Sequence, residues 1–343
     1  MVNIGKRKGV SYRLNTSISQ IKLSEDGRRA TGVVLDTYET LTADLVICNA
    51  DLVYAYNNLL PSTSYATSLS KREASCSSIS FYWALDRQFT ELSAHNIFLA
   101  EDYQESFDSI FKKHLIPDQP SFYVNVPSRV DPTAAPEGCD SIVILVPVGH
   151  LLDHNTESHK GTPGTSGTTQ NWDAMVSIAR ETILKTIESR LKISLGPHIL
   201  HESVNTPSTW KSAFNLDRGA ILGLSHSFFN VLSFRPKTKH PSIENFYFVG
   251  ASTHPGTGVP IVLAGAKIVT EQILSALGLG WPWAKEINTG ARKSGSALDR
   301  VRTMPILSWI HWAVIAIITA LASLFTLLLN SSDWGQAKFT GDW

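Results

Sequence analysis

The apolar positions of this chain follow two periods. Short runs rich in aromatic and β-branched residues predict strands. They lie at residues 10–21, which alternate, at 30–35 and 39–41, which form a hairpin, and at 75–85, 121–126 and 246–249. Residues 43–51 and 140–148 are near-continuous apolar runs, the pattern of strands buried on both faces. Ser24-Glu25-Asp26-Gly27 predicts a turn. A 3.6-residue period appears at Trp172, Met175, Val176, Ala179, Ile183, Ile187 and Leu191, with Asn171 as cap and Gly196-Pro197 as stop. That stripe reads as packing. A second helix runs through Ile261, Val262, Leu263, Ala264, Ala266, Ile268 and Val269, with Pro260 at its first position and Gly278 at its end.

Two stretches break the pattern. Residues 156–169 hold glycines and threonines with almost no apolar side chains, which predicts an exposed loop. Residues 306–329 are about 24 positions without a formal charge, long enough to cross a bilayer. Trp309 and Trp312 stand near the start of that stretch, where amphipathic rings prefer the interface. The basic linker before it, with Lys285, Arg292, Lys293, Arg300 and Arg302, puts the main portion on the cytosolic side.

Composition narrows the function classes. The 343 residues are 43% hydrophobic and 17% charged, enough for one large or two ordinary domains. Thirty basic residues balance thirty acidic ones, which argues against a general nucleic-acid binder. Cys48, Cys76 and Cys139 are widely spaced with no CxxC, so neither a disulfide scaffold nor a cysteine zinc site is expected. His150, Asp153, His154 and His159 cluster in sequence, but Gly149 and the loop beyond argue against a helix, and no metal site is expected there. Residues 1–13 are basic with no apolar run after them, so no secretory signal is expected.

The candidate chemistry lies at residues 245–278. A strand, a glycine-rich turn and a helix N-terminus make a site for a phosphate or a polarised carbonyl. Gly256 and Gly258 let backbone approach a ligand, and Gly265 lets the helix pack closely on a strand. The other reading is a plain turn inside an α/β domain. The run Phe248-Val249-Gly250-Ala251-Ser252-Thr253-His254-Pro255-Gly256-Thr257-Gly258-Val259-Pro260 resembles the carboxy-terminal flavin-binding motif of the carotenoid phytoene desaturases, of bacterial and fungal type. Cys48-Asn49-Ala50-Asp51 is similar to that family too. So is the stretch 209–236, with its aromatics Phe228, Phe229 and Phe234. In the family this last stretch faces the substrate tunnel. Read from the residues alone, its aromatics are core and Asp217-Arg218 is a surface ion pair.

The resemblance implies an α/β protein with an α+β substrate domain. Its frame is a partial FAD/NAD(P)-binding fold of the glutathione-reductase or amine-oxidase type, followed by a C-terminal transmembrane helix. The expected division is 1–51 partial FAD-binding domain, 52–235 substrate domain, 236–280 return to the FAD domain, 281–305 linker, 306–329 membrane helix and 330–343 tail. A dinucleotide site should open on G-x-G-x-x-G with an acidic residue about twenty positions on, and the chain has no such run. It therefore resembles the carboxy-terminal half to two-thirds of a desaturase; alone it is expected to purify without flavin absorbance and to leave phytoene unconverted, and a family amino-terminal segment joined ahead of Met1 is expected to restore both.

The implied cofactor is FAD, with NAD a lesser alternative. The implied substrate is phytoene or a related linear polyene held by a lipid bilayer. The implied reaction is hydride loss from one methylene carbon and proton loss from its neighbour. Flavin contact is expected from Gly250, Ala251, Ser252, Thr253, Gly256, Thr257, Gly258, Val259 and Pro260. Polar work near the ring is expected from Asp217, Arg218 and His254. No residue stands out as general base. Two other classes fit the sequence: a non-catalytic or partner-dependent fragment, and another membrane-associated flavin amine oxidase or isoprenoid oxidoreductase.

Overall fold

Three strands open the fold after a short helix, α1 (Val2–Arg7). They are β1 (Ile18–Leu23), β2 (Ala30–Leu35) and β3 (Thr40–Thr42), an antiparallel meander in that order. The computed structural model describes residues 1–152 and 170–283. The loop expected at 156–169, the membrane helix at 306–329 and the tail at 330–343 lie outside the described residues, as does the linker beyond Trp283. The chain divides into two compact units, Met1–Ile273 and Leu274–Trp343.

Strand β1 is shorter than the alternation of residues 10–21 predicts. Asn15 takes a left-handed φ of 52°, which ends extended pairing before Ile18. The predicted turn is present: Gly27 N–H donates to Ser24 O at 2.9 Å, and Ser24 Oγ to Asp26 Oδ1 at 2.6 Å.

Strand β4 (Val46–Cys48) carries the chain inward, followed by α2 (Leu52–Tyr54), a π-helical turn at Ala55–Leu59, and α3 (Ser64–Ser70). Asp51 caps α2, taking the Tyr54 N–H at 3.0 Å. The apolar side chains of this stretch, Leu52, Val53, Tyr56, Leu59 and Leu69, are buried in one core with Ile21, Val46 and Cys48.

A five-stranded antiparallel sheet follows. It is built from β5 (Ser77–Leu85), β6 (His95–Phe98), β7 (Phe122–Asn125), β8 (Asp140–Val148) and β9 (Ile199–Asn205), with α4 (Tyr103–Phe111) after β6; the strand order is β6-β7-β8-β5-β9. Every second residue of β8 is buried, from Asp140 to Val148. Helix α5 (Trp172–Leu191) lays Met175, Ala179, Ile183 and Ile187 into the same core as Phe81, Trp83, Ile142 and Ile144. It ends earlier than Gly196-Pro197 because Lys192 turns left-handed, at φ 60°. Buried Asp140 closes one end of β8. It receives both Arg129 Nη groups, at 2.6 and 2.8 Å, and the Phe89 N–H at 2.8 Å.

Helix α6 (Pro207–Phe214) begins the return, and β10 (Phe246–Phe248) completes it, pairing in parallel with β4. All three residues of β10 are buried. Phe248, Tyr56 and His240 stack beneath it, with Tyr56–Phe248 centroids 5.0 Å apart. Helix α7 (Val259–Ala276) follows the turn. Gly265 faces Pro255 and the His254 carbonyl, so the helix packs on the turn rather than on a strand as the sequence suggested. A Thr238 Oγ1 to Gln272 Oε1 bond of 2.8 Å ties its far turns. Among the described residues α7 is the one helix long and apolar enough to cross a membrane, by length and composition.

Candidate flavin cleft

Parallel strands gather ligands beyond their carboxyl ends. Here the pair β4 and β10 ends in two polar tails, Asn49–Asp51 and Val249–Thr253. Together with Leu216, Ile221 and Gly223 they line an open cleft of about 120 Å³. Asn49 Nδ2 bridges the tails, donating to Val249 O at 2.7 Å. Gly250 has φ 138°, and a Cβ there would stand 3.0 Å from Asn49 Nδ2, so the residue must be glycine for the two tails to meet.

The turn is held from behind by Arg235. This guanidinium is only 3% exposed. It donates to Asn230 O at 2.7 Å, to Thr253 O at 3.3 Å, to Ser225 O at 3.4 Å and to Ala251 O. All four acceptors are neutral carbonyls. Burial pushes the guanidinium below its ordinary range. Ser252 Oγ takes the Leu224 N–H at 3.1 Å, and Thr253 Oγ1 donates to Gly250 O at 2.9 Å. These two hydroxyls are therefore spent inside the turn, although both residues line the cleft.

The predicted motif residues separate into two groups. Gly250, Ala251, Ser252 and Thr253 line the cleft. Gly256, Thr257, Gly258, Val259 and Pro260 form the approach to α7. Gly256 is packed near Arg235 and His226, and Gly258 takes φ 103° and accepts the Val262 N–H at 2.8 Å as the first helical bond. Pro260 is the second helical residue, not the first. Val259 and Ile261 are thus the first-turn residues with an N–H to offer a ligand.

Asp217 and Arg218 are together. Arg218 Nε donates to Asp217 Oδ2 at 2.9 Å and Nη2 to Arg72 O at 2.7 Å. The pair is mostly buried, not the surface pair that the residues alone suggested. The aromatics Phe228, Phe229 and Phe234 also differ from the core reading. They stack on one another in the open, with Phe228 and Phe229 each 71% exposed. His254 is exposed, and its N–H donates to Pro236 O at 2.9 Å. His150 lies against His114, with centroids 4.3 Å apart. His154 and His159 lie outside the described residues.

Two residues stand out only in three dimensions. Arg235 is one; in sequence it is a single arginine before a proline. Asp51 is the other. Among the described residues it is the only ionisable side chain lining the cleft. Burial raises its carboxyl, the Tyr54 N–H opposes the rise, and the Asp217 charge adds to it, for a net shift up to about 6.

The cleft fits a flavin edge: glycine backbone on one side, the start of α2 at Asp51 and Leu52 beside it, and a wall free of bulky side chains at Gly223 and Gly250. The chain is 56% identical over 330 residues to the phytoene desaturase of Fusarium fujikuroi, which covers 93% of this chain and 57% of that protein. It is 51% identical over 392 aligned positions to the phytoene desaturase of Cercospora nicotianae, covering 99% of this chain and 62% of that one. The chain thus spans less than two thirds of the length of these relatives. Among solved structures, an oxidoreductase from Methanosarcina mazei superposes with a TM-score of 0.50 at 15% identity, over 79% of this chain and 52% of that one, a likeness of fold. Residues 1–274 match the family described as flavin containing amine oxidoreductase, and the chain belongs to that family.

Proposed function

We propose that this chain is the carboxy-terminal part of a flavin-dependent desaturase acting on phytoene or a related linear polyene. The observation that carries the reading is the cleft at the ends of β4 and β10, built by the motif turn in a chain of a flavin family with desaturase relatives. In this reading the first core, with the meander, β4 and β10, belongs to the FAD-binding portion. The five-stranded sheet with α5 binds substrate. Residues 52–69 pack in the first core, which supports a boundary near Lys71 rather than at residue 52.

The flavin, when bound, supplies the two-electron oxidant. The chain's own residues orient and exclude. Gly250 and Gly223 keep the wall flat, and Asn49 and Arg235 fix the turn. Leu216 and Ile221 give the cleft an apolar side suited to a hydrocarbon chain. Such a substrate resides in lipid. The exposed cluster of Phe228, Phe229 and Leu232, the last 78% exposed, supports contact with a bilayer surface. The apolar stretch 306–329 supports an anchor.

The test joins the amino-terminal segment of a desaturase relative ahead of Met1 and reconstitutes the joined chain with FAD and lipid vesicles carrying phytoene. Retained flavin absorbance and new absorption bands of longer conjugated polyenes are expected. A chain that retains no FAD sinks the cofactor reading. A flavin-loaded chain that leaves phytoene unchanged sinks the substrate reading. Vesicle flotation checks the bilayer contact: Phe228→Ser with Phe229→Ser should cut binding several-fold in a chain ended before residue 303, and unchanged flotation would remove the cluster from the lipid surface.

A further inference from the structure

A polyene methylene that loses hydride leaves its neighbour acidic, because the developing positive charge sits one carbon away. A carboxylate is basic enough to take that proton, provided it stands in the cleft, is dry enough to be poised, and is not already neutralised by a cation. These three conditions can be asked of every ionisable group near the motif turn.

Asp217 fails the last, since Arg218 Nε holds it at 2.9 Å. His254 fails the first two; it is exposed and is not among the cleft residues. His226 and Arg235 stand behind the turn, at Gly256, and line no part of the cleft. Asp51 meets all three conditions. Its side chain lines the cleft beside Gly250 and Ala251. Its Oδ1 is fixed by the Tyr54 N–H at 3.0 Å, so the carboxylate is oriented by the start of α2 rather than by a cation. No salt bridge to it is formed among the described residues. The negative charge of Asp217 nearby raises the Asp51 carboxyl further, after burial.

We propose that Asp51 is the proton acceptor of the desaturation step. The inference rests on the reading of the chain as a flavin-dependent desaturase. One C–H bond would break with its electron pair leaving as hydride, the two-electron oxidation that a bound flavin would supply. The adjacent C–H bond gives its proton to the Asp51 carboxylate, and its electron pair becomes the new double bond. The carboxyl then returns the proton to water at the cleft mouth.

The obvious objection is that Asp51 is only a helix cap. Asparagine caps as well as aspartate but cannot take a proton, so Asp51→Asn separates the roles. Two measurements on the full chain decide. In the first, side-chain carboxyl carbons are followed by NMR against pH. One carboxyl should titrate near 6 and be missing from Asp51→Asn; an Asp51 that titrates with ordinary carboxylates overturns the proposal. In the second, wild type and variant, each joined to that amino-terminal segment and loaded with FAD, are given phytoene in vesicles. Flavin absorbance should be equal, turnover of the variant should fall about 100-fold or more, and the wild-type rate should rise with pH through about 6. Equal turnover in the two proteins overturns the proposal and leaves the desaturase reading standing. A wild type that binds FAD and converts nothing fails that reading, and the proposal with it.

Discussion

At the scale of single residues the cleft is held together at a cost in stability. Asp51 is the clearest case. Its folded pKa is raised from 3.8 to about 6, so the protonated form suits the fold better than the anion. The contribution is therefore fully favourable below the unfolded value and is lost as pH rises through about 6. At pH 7.5 the shift corresponds to at most about 3 kcal/mol of destabilisation, by the usual 1.36 kcal/mol per unit. Asp51→Asn removes that cost while keeping the cap. Its thermal midpoint should exceed that of wild type by several degrees at pH 7.5 and match it at pH 4. A variant no more stable than wild type at either value would mean that Asp51 works as a cap alone. Arg235 is the converse case, a buried cation whose removal strands acceptors. Arg235→Lys keeps the charge but cannot reach Ala251, Thr253, Asn230 and Ser225 together. With about 1–3 kcal/mol for each buried group left unpaired, the urea midpoint should drop markedly, and the amides of the turn should exchange faster. Gly223 sets a steric limit on the same turn. A Cβ there runs into Ser252 Oγ at a φ of 69°, so Gly223→Ala should destabilise by about 1–3 kcal/mol and free the Leu224 amide to exchange.

At the scale of elements, what could be read from the sequence was whatever carries its own period. Strand β8 is a near-continuous apolar run, β10 is wholly aromatic, and α5 repeats its buried stripe every turn, so each was legible as an element, although β8 buries only every second residue and not both faces. Strands β6 and β9 were not. Their sequences, HNIF and ILHESVN, are half polar, and they are strands because β7 and β5 offer them an edge to pair with. The turn 250–260 was legible as a glycine-rich turn leading into a helix, but not how it is held, because Arg235, Leu224 and Asn49 reach it from distant stretches. Nor could the exposure of Phe228 and Phe229 be read, since aromatic content does not report burial. Gly265 shows the same limit: the sequence marked a close approach, and the structure supplies the partner. An added Cβ would lie 3.3 Å from Pro255 Cδ. Gly265→Val should therefore lift α7 off the turn and weaken flavin retention. Gly278→Ala, with open space around it and a φ of 70°, should cost only about 1 kcal/mol and leave the flavin in place. Equal flavin loss in both would deny that the packing of α7 on Pro255 supports the turn.

At the scale of the whole molecule these local choices meet in the response to protons. Two histidines oppose Asp51. His240 is stacked among Tyr56, Phe246 and Phe248, and its Nδ1 accepts the N–H groups of Ser242 and Ile243 at 3.2 and 2.9 Å. A proton on that nitrogen would set N–H against N–H. His114 is buried against His150, with its Nδ1 unpaired and Arg218 nearby. Burial lowers both rings to about 4. Their folded values lie below the unfolded 6.5, so the stability they allow is present above about 6.5 and is lost as pH falls towards 4. Asp51 runs the other way over its own window, from about 6 down to 3.8. Between pH 6.5 and 6 the histidines act alone, and the fold should lose stability on acidification. Between pH 6 and 4 Asp51 takes up a proton in the native state and offsets part of that loss. The slope of stability against pH equals the difference in protons bound by unfolded and native chains. Denaturant titrations of the full chain at half-unit steps from pH 4 to 7.5 should therefore give a curve that rises with pH and is shallower below 6 than the histidines alone would make it. In Asp51→Asn the compensation is gone, and the same curve should steepen between pH 4 and 6 while keeping its form above. A variant curve parallel to wild type across that window would mean that the native carboxyl takes up no proton there, and the poised acceptor in the cleft would have to be given up.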